Sequence, residues 1–405
     1  MIKRERYLSR IRGTYDSDLI KVIIGIRRSG KSVLLGQIMQ EIRDRGIGDD
    51  HIIYLNFEDY SYDEYTDPKL FHKYIKSQIK DKAKYYLFFD EIQEVENFEK
   101  VINSFRATLN SSIFITGSNS KLLAGNFSTR LSGRYLHYRI LPLVFSEYLE
   151  LIGDVSTSKD KLFDNYLHSG GMPQIYAFND GYERKLYLTD LYNSIILKDI
   201  ITRHDIKDPN LLNRIVQFLM ENIGQITSGN SIAGYLKNER ISTTVNTVLN
   251  YADRIGEAMV FDKVSRYDIR GKKVLATLDK YYISDLGFLQ LKKSQIEEKQ
   301  GGRLENIVYN ELISRGFAVN AGKAIGGEVD FVATRFGELQ YIQVAEYLSS
   351  DAVLKREFGS LRKIDDNFKK LVLTRDHTDY SRAGIEQRNI VDWLTDTETF
   401  LPQFS

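Results

Sequence analysis

The first third of the chain alternates short apolar runs with longer helical patterns. Four runs have the length and the branched or aromatic content of buried strands: residues 21–24 (KVII), 51–59 (HIIYLNFED), 85–93 (YYLFFDEIQ) and 112–119 (SIFITGSN). Between the first two runs, apolar residues from Val33 to Ile42 recur at helical spacing. Strands that alternate with helices predict an α/β fold, in which a parallel sheet carries helices on both faces.

The middle of the chain is dominated by helical patterns. Residues 161–203 have such a pattern, interrupted at residues 170–173 (GGMP). Three amphipathic segments follow at 211–224, 231–236 and 241–256, and Ser242 is the expected N-cap of the third. Two strand patterns, 259–268 and 272–284, then turn around residues 269–271. Three helices followed by a hairpin predict a winged helix-turn-helix.

Composition narrows the classes of protein without selecting one. Of 405 residues, 42% are apolar and 27% are charged, as in an ordinary globular protein, and the formal net charge is +1. That balance neither favours nor excludes nucleic acid, so a basic surface has to be local. Cysteine is absent, which excludes disulfides and cysteine-bound zinc and fits a cytoplasmic location. No apolar run approaches the roughly 18 residues of a membrane span, and the N-terminus lacks the apolar run of a signal peptide.

The junction between the first strand and the first helix, VIIGIRRSGKS at residues 22–32, carries a candidate chemistry. Gly25 and Gly30, followed by Lys31 and Ser32, have the spacing of a phosphate-binding loop. Glycines let backbone N–H groups approach phosphate oxygens, the lysine reaches the β and γ phosphates, and the serine hydroxyl ligates Mg²⁺. The alternative is an ordinary strand-to-helix turn. The residues expected to bind ATP are Gly25, Arg27, Arg28, Ser29, Gly30, Lys31, Ser32 and Val33.

The run YYLFFDE ends in two acids, Asp90 and Glu91, at the carboxyl edge of the predicted parallel sheet. Ligands of such sheets bind at this edge. We therefore expect Asp90, together with Ser32, to hold Mg²⁺, and Glu91 to polarise the water that attacks the γ-phosphate. A capping acid at a strand end is the alternative interpretation.

Further catalytic candidates lie downstream. Ser118 and Asn119 follow the strand pattern at 112–119 and could contact the γ-phosphate, with Thr116 a weaker candidate; a solvated turn is the alternative. Arg130 and Arg134 are spaced by four residues, and one of them could be an arginine finger acting on the nucleotide of a neighbouring copy. A finger implies a homo-oligomer, whereas a solvated basic loop implies nothing about assembly.

The predicted winged helix-turn-helix is a candidate for nucleic-acid binding. The outward face of its third helix shows hydroxyl and amide side chains, which can contact base edges, but Arg254 is its only cation. Arg270, Lys272 and Lys273 make the hairpin locally positive and suited to contacts with DNA phosphates. Winged helices also serve as protein-contact elements, so a protein partner is the alternative.

The last third resembles the layout of metal-dependent nucleases but departs from it at a decisive place. A helix carries Glu305, and the next strand pattern carries Asp330. The strand after that should read acid-x-Lys, yet it reads Gln343-Val344-Ala345, which lacks both a carboxylate and a lysine to orient water. We therefore expect a nuclease-like fold without cleavage activity. Glu305, Glu328 and Asp330 could equally be structural acids.

Several motifs together resemble the AAA-plus ATPases of bacteria and archaea that carry an additional C-terminal region. They are GIRRSGKS, YYLFFDE, FITGSN, RLSGRY and GGMPQIY, and the similarity runs from about residue 7 to residue 375. The resemblance implies an ATPase core, a helical lid and a nuclease-like fold. With polar stretches at 153–161, 203–209 and 293–302 as boundaries, the expected parts are a P-loop NTPase core (1–152), a helical lid (153–209), a winged helix-turn-helix (210–292) and a restriction-endonuclease-like α/β domain (293–405).

Three functional hypotheses follow. The first is an ATP-hydrolysing protein that couples its nucleotide state to nucleic-acid binding. The second is a nucleotide-dependent switch that scaffolds a protein partner without touching DNA. The third, least favoured, is a metal-dependent nuclease.

Overall fold

The computed structural model describes residues 2–119, 122, 131, 133–202, 204, 206–275, 277–292, 300–325 and 327–396. The chain forms two compact units. The first comprises Met1–Pro142 with Glu257–Met259, and the second comprises Leu143–Gly256 with Val260–Ser405.

The first unit contains a parallel sheet in which the strand before the predicted phosphate loop lies between two others. Within the described residues its strands are β1 (Ile20–Ile24), β2 (Ile52–Asn56), β3 (Tyr85–Asp90), β4 (Ser111–Gly117) and β5 (Tyr135–Arg139). They are arranged β2-β3-β4-β1-β5, and each neighbouring pair is parallel. The predicted α/β fold with a parallel sheet is therefore confirmed.

Helices cover both faces of this sheet. They are α1 (Glu5–Ile11), α2 (Lys31–Asp44), α3 (Pro68–Gln78) and α4 (Phe98–Thr108). Side chains alternate along a strand, so Phe88 and Phe89 on β3 point to opposite faces. Phe88 belongs to the apolar cluster formed with α1 and α2. Phe89 instead contacts Phe71 of α3 edge-on at 4.9 Å between ring centroids. The aromatic run of β3 is thus covered on both faces, as a buried parallel strand must be.

Helices and a mixed sheet make up the second unit. The helices in its described part are Phe145–Ile152, Lys159–Ser169, Gly181–Ser194, Pro209–Glu221, Gly229–Asn238, Val245–Glu257, Gln300–Ser314, Asp351–Arg362 and Ile390–Thr395, and a π-helix spans Ile195–Thr202. The interruption predicted at residues 170–173 separates Lys159–Ser169 from a short 3-10 turn at Pro173–Ala177. The N-cap prediction for the third amphipathic helix was wrong: it begins at Val245, and Thr244 Oγ1, not Ser242, accepts the bond from Thr247 N at 3.1 Å.

The strands of the second unit are β6 (Phe261–Val264), β7 (Arg266–Asp268), β8 (Lys273–Val274), β9 (Lys280–Ile283), β10 (Ala318–Ala324), β11 (Gly327–Arg335), β12 (Glu338–Val344), β13 (Lys369–Thr374) and β14 (Glu386–Asn389). One sheet has the order β14-β13-β12-β11-β10-β7-β8, and β6 pairs separately with β9. Parallel and antiparallel neighbours occur together in the larger sheet.

The hairpin predicted at residues 259–284 is divided between the two sheets. Its inner part is the antiparallel pair β6–β9. Its outer part is the pair β7–β8, and β7 also pairs in parallel with β10 of the C-terminal sheet. The expectation of two continuous strands was wrong, because the chain changes partners at Ser265. The turn between β7 and β8 is consequently anchored to the C-terminal sheet.

Over the described parts of the chain, the structure contains no helix that is both long enough and apolar enough to cross a membrane.

Candidate nucleotide site

The loop between β1 and α2, residues 25–30, has the backbone that its glycines predict. A Cβ on Gly25 would lie 2.2 Å from the carbonyl oxygen of Ile140, so that no larger residue fits. Gly30 has a φ of +98°, in the left-handed region that side chains disfavour, and helix α2 begins at the next residue. The N–H groups at the start of a helix have no partners within it, and in proteins such groups commonly face bound anions, so the loop and the first turn of α2 have the geometry expected of a phosphate loop.

Lys31, the first residue of α2, is almost completely buried against this loop. Its ammonium nitrogen is 3.1 Å from the Gly25 carbonyl oxygen and 3.3 Å from that of Ile26. The same nitrogen is 3.3 Å from a carboxylate oxygen of Glu91. The structure thus brings together the lysine and the acid that the sequence placed at the ends of two different strands.

The acid pair is held by Thr116, on the intervening strand β4. The hydroxyl of Thr116 donates to Asp90 and accepts from the backbone N–H of Glu91 at 2.9 Å. The Tyr54 hydroxyl donates to the other carboxylate oxygen of Asp90 at 3.2 Å. Thr116, the weaker candidate for contact with the γ-phosphate, therefore positions both acids. This role depends on the strand order, which the sequence pattern does not specify.

Glu91 combines an unusual backbone with a stabilised negative charge. Its φ is 51°, a left-handed conformation that is rare for a residue with a side chain and that concentrates at functional sites. Burial pushes the pKa of the Glu91 carboxyl up, but attraction to the Lys31 ammonium and the Gln93 hydrogen bond bring it, on balance, below its ordinary value. The group is therefore a carboxylate at neutral pH, as a residue that polarises water requires.

Three buried polar atoms at this edge have no hydrogen-bond partner within the described residues. They are Ser29 Oγ, Gln93 Oε1 and Ser118 Oγ. Buried polar groups are nearly always paired, so unpaired ones require an explanation. Ser29 belongs to the phosphate loop, and Ser118 follows β4 directly, beside the end of β1. Their unused hydrogen-bonding capacity fits a ligand rich in acceptor oxygens, such as a nucleotide triphosphate. Asn119, the neighbouring candidate, is also buried.

The remaining loop residues take different positions. Arg27 pairs with Glu58 at 3.2 Å, next to β2. Arg28 is exposed and has a φ of 64°, so the loop contains a second left-handed residue with a side chain. Ser32 is exposed in the first turn of α2, where its hydroxyl is accessible to a metal ion, and Val33 is half-buried beside it.

The two arginine-finger candidates are Arg130 and Arg134. Arg130 lies outside the described residues. Arg134 is exposed and donates to the side-chain oxygen of Asn103 at 3.3 Å. It precedes β5 at the amino edge of the sheet, because its carbonyl accepts from Ile20, the first residue of β1. The phosphate loop follows the last residue of β1, so Arg134 and the loop lie at opposite ends of that strand.

Sequence analysis missed Arg4, a buried residue that holds the phosphate loop. Its guanidinium donates to the carbonyl of Ser29 at 2.9 Å and to that of Leu141 at 3.0 Å, and it lies 4.8 Å from the ring centroid of Tyr7. The Tyr7 hydroxyl in turn accepts from the Leu141 N–H at 3.2 Å. An arginine in a basic N-terminal segment carries no motif, so only tertiary contacts could identify this role.

We expect Arg4→Ala to weaken ATP binding roughly tenfold, since a charge-assisted bond to the loop is worth about 1.5–3 kcal/mol and its loss leaves the loop to be ordered on binding. Titration of ATP into the purified variant measures this change. Lys3→Ala is the matched control, because Lys3 is exposed and its ion pairs with Glu5 and Glu41 lie outside the phosphate loop. Equal ATP affinity of the Arg4 and Lys3 variants would contradict the assignment.

A second ionic cluster lies in the second unit, between the hairpin and the C-terminal sheet. The Lys280 ammonium on β9 is 2.9 Å from a carboxylate oxygen of Glu305 and 3.3 Å from one of Asp330. The Tyr282 hydroxyl donates to Glu305 at 3.0 Å. The two acids predicted from the nuclease layout therefore do converge, but a lysine that sequence analysis did not consider lies between them.

Neighbouring groups complete this cluster. Asp330 also accepts from the backbone N–H of Val344 at 2.9 Å. Gln343 does not point to an open site, because its amide donates to Glu357 at 2.9 Å. Ala345 lies beyond the end of β12 and is buried in an apolar cluster. Within the described residues, no three acidic or histidine side chains converge on a potential metal position.

The candidate DNA contacts are divided between a helix and a turn. Arg254 is half-buried near the end of the helix Val245–Glu257. Arg270, Lys272 and Lys273 are exposed in or beside the β7–β8 turn. The turn cations therefore remain available to a partner, and they project from strands that belong to the C-terminal sheet.

Comparison with known proteins agrees with the geometry of the first unit. Residues 17–149 match the family described as AAA domain, and residues 160–298 match a domain of unknown function, DUF8612. The Walker-type ATPase of Pyrococcus abyssi has the same fold over much of the chain, with a TM-score of 0.51 at 14% identity, covering 72% of this chain and 95% of that one. The match of residues 17–149 to the AAA domain family supports nucleotide binding and an ATPase-type function.

Two relatives extend over almost the whole chain. An uncharacterized protein of Haemophilus influenzae is 38% identical over 97% of this chain and 98% of its own length. An uncharacterized protein of Methanocaldococcus jannaschii is 30% identical over 92% of this chain and 85% of its own length. The chain belongs to the same family as these bacterial and archaeal proteins.

Proposed function

We propose that the protein hydrolyses ATP with Mg²⁺ and couples this reaction to the binding of nucleic acid. The observation that carries the proposal is the contact of Lys31 with Glu91, beside an Asp90 that is oriented by Thr116. These contacts support the proposal that Lys31 binds the nucleotide, Asp90 the metal ion and Glu91 the attacking water at one sheet edge. The unpaired Ser29 and Ser118 hydroxyls supply further contacts for phosphate oxygens.

Each side chain has a separate task in this mechanism. Lys31 exchanges its carboxylate partner for the β and γ phosphates, which releases Glu91 to accept a proton from the attacking water. Ser32 and Asp90 would hold Mg²⁺, which would supply positive charge to the phosphate groups. Ser118 and Asn119 contact the γ-phosphate. Arg134, at the far edge of its own sheet, acts as the finger for the nucleotide of a second copy, so we propose a homo-oligomer.

Nucleic acid is proposed to bind the second unit, with the helix Val245–Glu257 and the β7–β8 turn as the contact elements of a winged helix. Hydroxyl and amide side chains on this helix, including Thr247 and Asn250, suit base edges. The cations of the turn suit phosphates, and binding should therefore weaken steeply with salt.

The test is ATP turnover with and without double-stranded DNA. We expect DNA to raise the rate several-fold, and the combined substitution of Arg254, Arg270 and Lys272 by alanine to abolish that increase while leaving basal turnover unchanged. Removal of Lys272 alone should lower the slope of log affinity against log salt by about 1. Lys355→Ala, on the exposed face of the helix Asp351–Arg362, is the matched control.

A protein partner is the second candidate, because Arg254 is the only cation that the candidate contact helix offers. In that case nucleotide binding would alter the affinity for the partner. Basal turnover that DNA does not change, together with no salt-dependent DNA binding, would favour this function and reject coupling to nucleic acid.

A further inference from the structure

A cavity of about 540 Å³ lies in the second unit, where the β7–β8 turn meets the C-terminal sheet. Its volume is in the range of sites that bind small ligands or single groups of larger ones. Tyr267, Ile269, Tyr341 and Phe368 give it apolar and aromatic walls. The cavity exists because β7 pairs with β10, which fixes the turn against the sheet.

Charged side chains surround this apolar interior. The lining includes the cations Arg270, Lys272 and Lys363 and the acids Asp365 and Asp366. Asp366 is already engaged within the fold: it accepts from the Tyr341 hydroxyl at 2.7 Å and lies 3.3 Å from the Lys370 ammonium. The three cations of the lining are exposed, as is Asp365, so the rim keeps an excess of positive charge. An anionic group at the rim is therefore favoured.

Large apolar side chains are also exposed at the rim. The exposed fraction is 47% for Phe368 and 56% for Ile325, beside the cations of the turn. Aromatic surfaces interleaved with cations are typical of sites for single-stranded nucleic acid, where bases stack on rings and phosphates pair with basic residues. Because a duplex keeps its bases stacked inside, only an unpaired base can enter such a cavity.

We propose that this cavity binds an unpaired nucleobase of a DNA strand, stacked against Phe368, while Arg270 and Lys272 hold its flanking phosphates. The inference rests on the proposed nucleic-acid function, since it assigns the same two turn cations to phosphates. It adds a preference: the protein recognises a junction between duplex and single strand rather than a duplex alone.

Equilibrium binding of two labelled DNAs tests the inference. One is a blunt duplex, and the other is the same duplex with a short single-stranded tail. We expect the full-length protein to bind the tailed DNA roughly tenfold more tightly, which is the effect of stacking one base. Phe368→Ala should abolish this preference, so that the ratio of the two affinities is about 1. It should leave blunt-duplex affinity and ATP turnover unchanged. Phe336→Ala is the matched control, because Phe336 is a more exposed aromatic that does not line the cavity.

The outcomes separate the two proposals. Failure to bind either DNA at low salt rejects the nucleic-acid function itself. Equal binding of blunt and tailed DNA rejects the cavity as a base site but retains that function. A tail preference that survives Phe368→Ala also rejects it, and the cavity would then be better explained as a site for an acidic protein segment. The melting temperature of each variant verifies that it has folded.

Discussion

Glu91→Gln is expected to lower ATP turnover by at least about 100-fold while leaving ATP binding intact. A positioned general base contributes about 10²–10⁴-fold to a rate, and glutamine keeps the shape of the side chain but cannot accept a proton. Binding should be at least as tight as in the original protein, because the Lys31 ammonium, 3.3 Å from Glu91, no longer has a carboxylate that competes with phosphate. Steady-state phosphate release and ATP titration measure the two effects separately.

Two further variants serve as controls for the effect of Glu91→Gln. Glu94→Gln makes the same chemical change three residues away on an exposed side chain and should leave turnover unaffected. Lys31→Ala should abolish ATP binding itself, since it removes the cation that reaches the phosphates. Turnover in Glu91→Gln equal to that of the original protein would contradict the assignment of Glu91, and strong ATP binding by Lys31→Ala would contradict the phosphate loop.

The first unit was largely predictable because its local patterns and its tertiary structure agree. Short apolar runs became β1, β3 and β4, and the motif at residues 25–32 lies where a parallel sheet binds ligands. The order of the strands was not predictable from these patterns. That order places Thr116 between the phosphate loop and the acid pair, and it places Arg134 at the opposite sheet edge. Roles that depend on strand order therefore emerged only from the structure.

The second unit was less predictable because its decisive contacts join distant segments. The period of β7 and β8 indicates strands but does not specify their partners, and pairing with β10 cannot be deduced from residues 266–274. Arg4 and Lys280 were missed for the same reason. Each is a single cation whose hydrogen-bond acceptors named above lie at least 25 residues away along the chain. Helix boundaries, as at Thr244, depend on which of several adjacent hydroxyls reaches the N–H group.

Lys280→Met is expected to destabilise the protein by about 3–5 kcal/mol, the cost of removing one partner from a buried ionic cluster. The substitution keeps an unbranched side chain of similar size but leaves the Glu305 and Asp330 carboxyl groups facing each other without the ammonium. The ammonium lies within 2.9 and 3.3 Å of the two carboxyl groups, where a cation shared by both acids would lie. Chemical denaturation measures the free energy of unfolding.

The stability lost in Lys280→Met should grow as the pH rises. The direction of this pH dependence follows from the pKa of Glu305. Burial and the Asp330 carboxylate raise the pKa of Glu305 to about 8, despite the lowering effect of the Lys280 ammonium. A carboxyl with a raised pKa favours the folded state while it is protonated, and this contribution disappears as the pH rises through that value. Above about pH 8 the original protein keeps an ionised Glu305 paired with Lys280, whereas Lys280→Met has no such pair. The difference in stability should therefore be larger at pH 9 than at pH 6.

Further variants identify the cause of the destabilisation. Adding Glu305→Gln to Lys280→Met should recover part of the lost stability, because it removes one of the uncompensated acids. Lys369→Met is the control, since Lys369 pairs with Glu386 on the exposed surface of the C-terminal sheet and its replacement should cost less than about 1 kcal/mol. If Lys280→Met is as mild as Lys369→Met, or if its effect does not change between pH 6 and pH 9, the ammonium does not stabilise the fold through the two carboxylates.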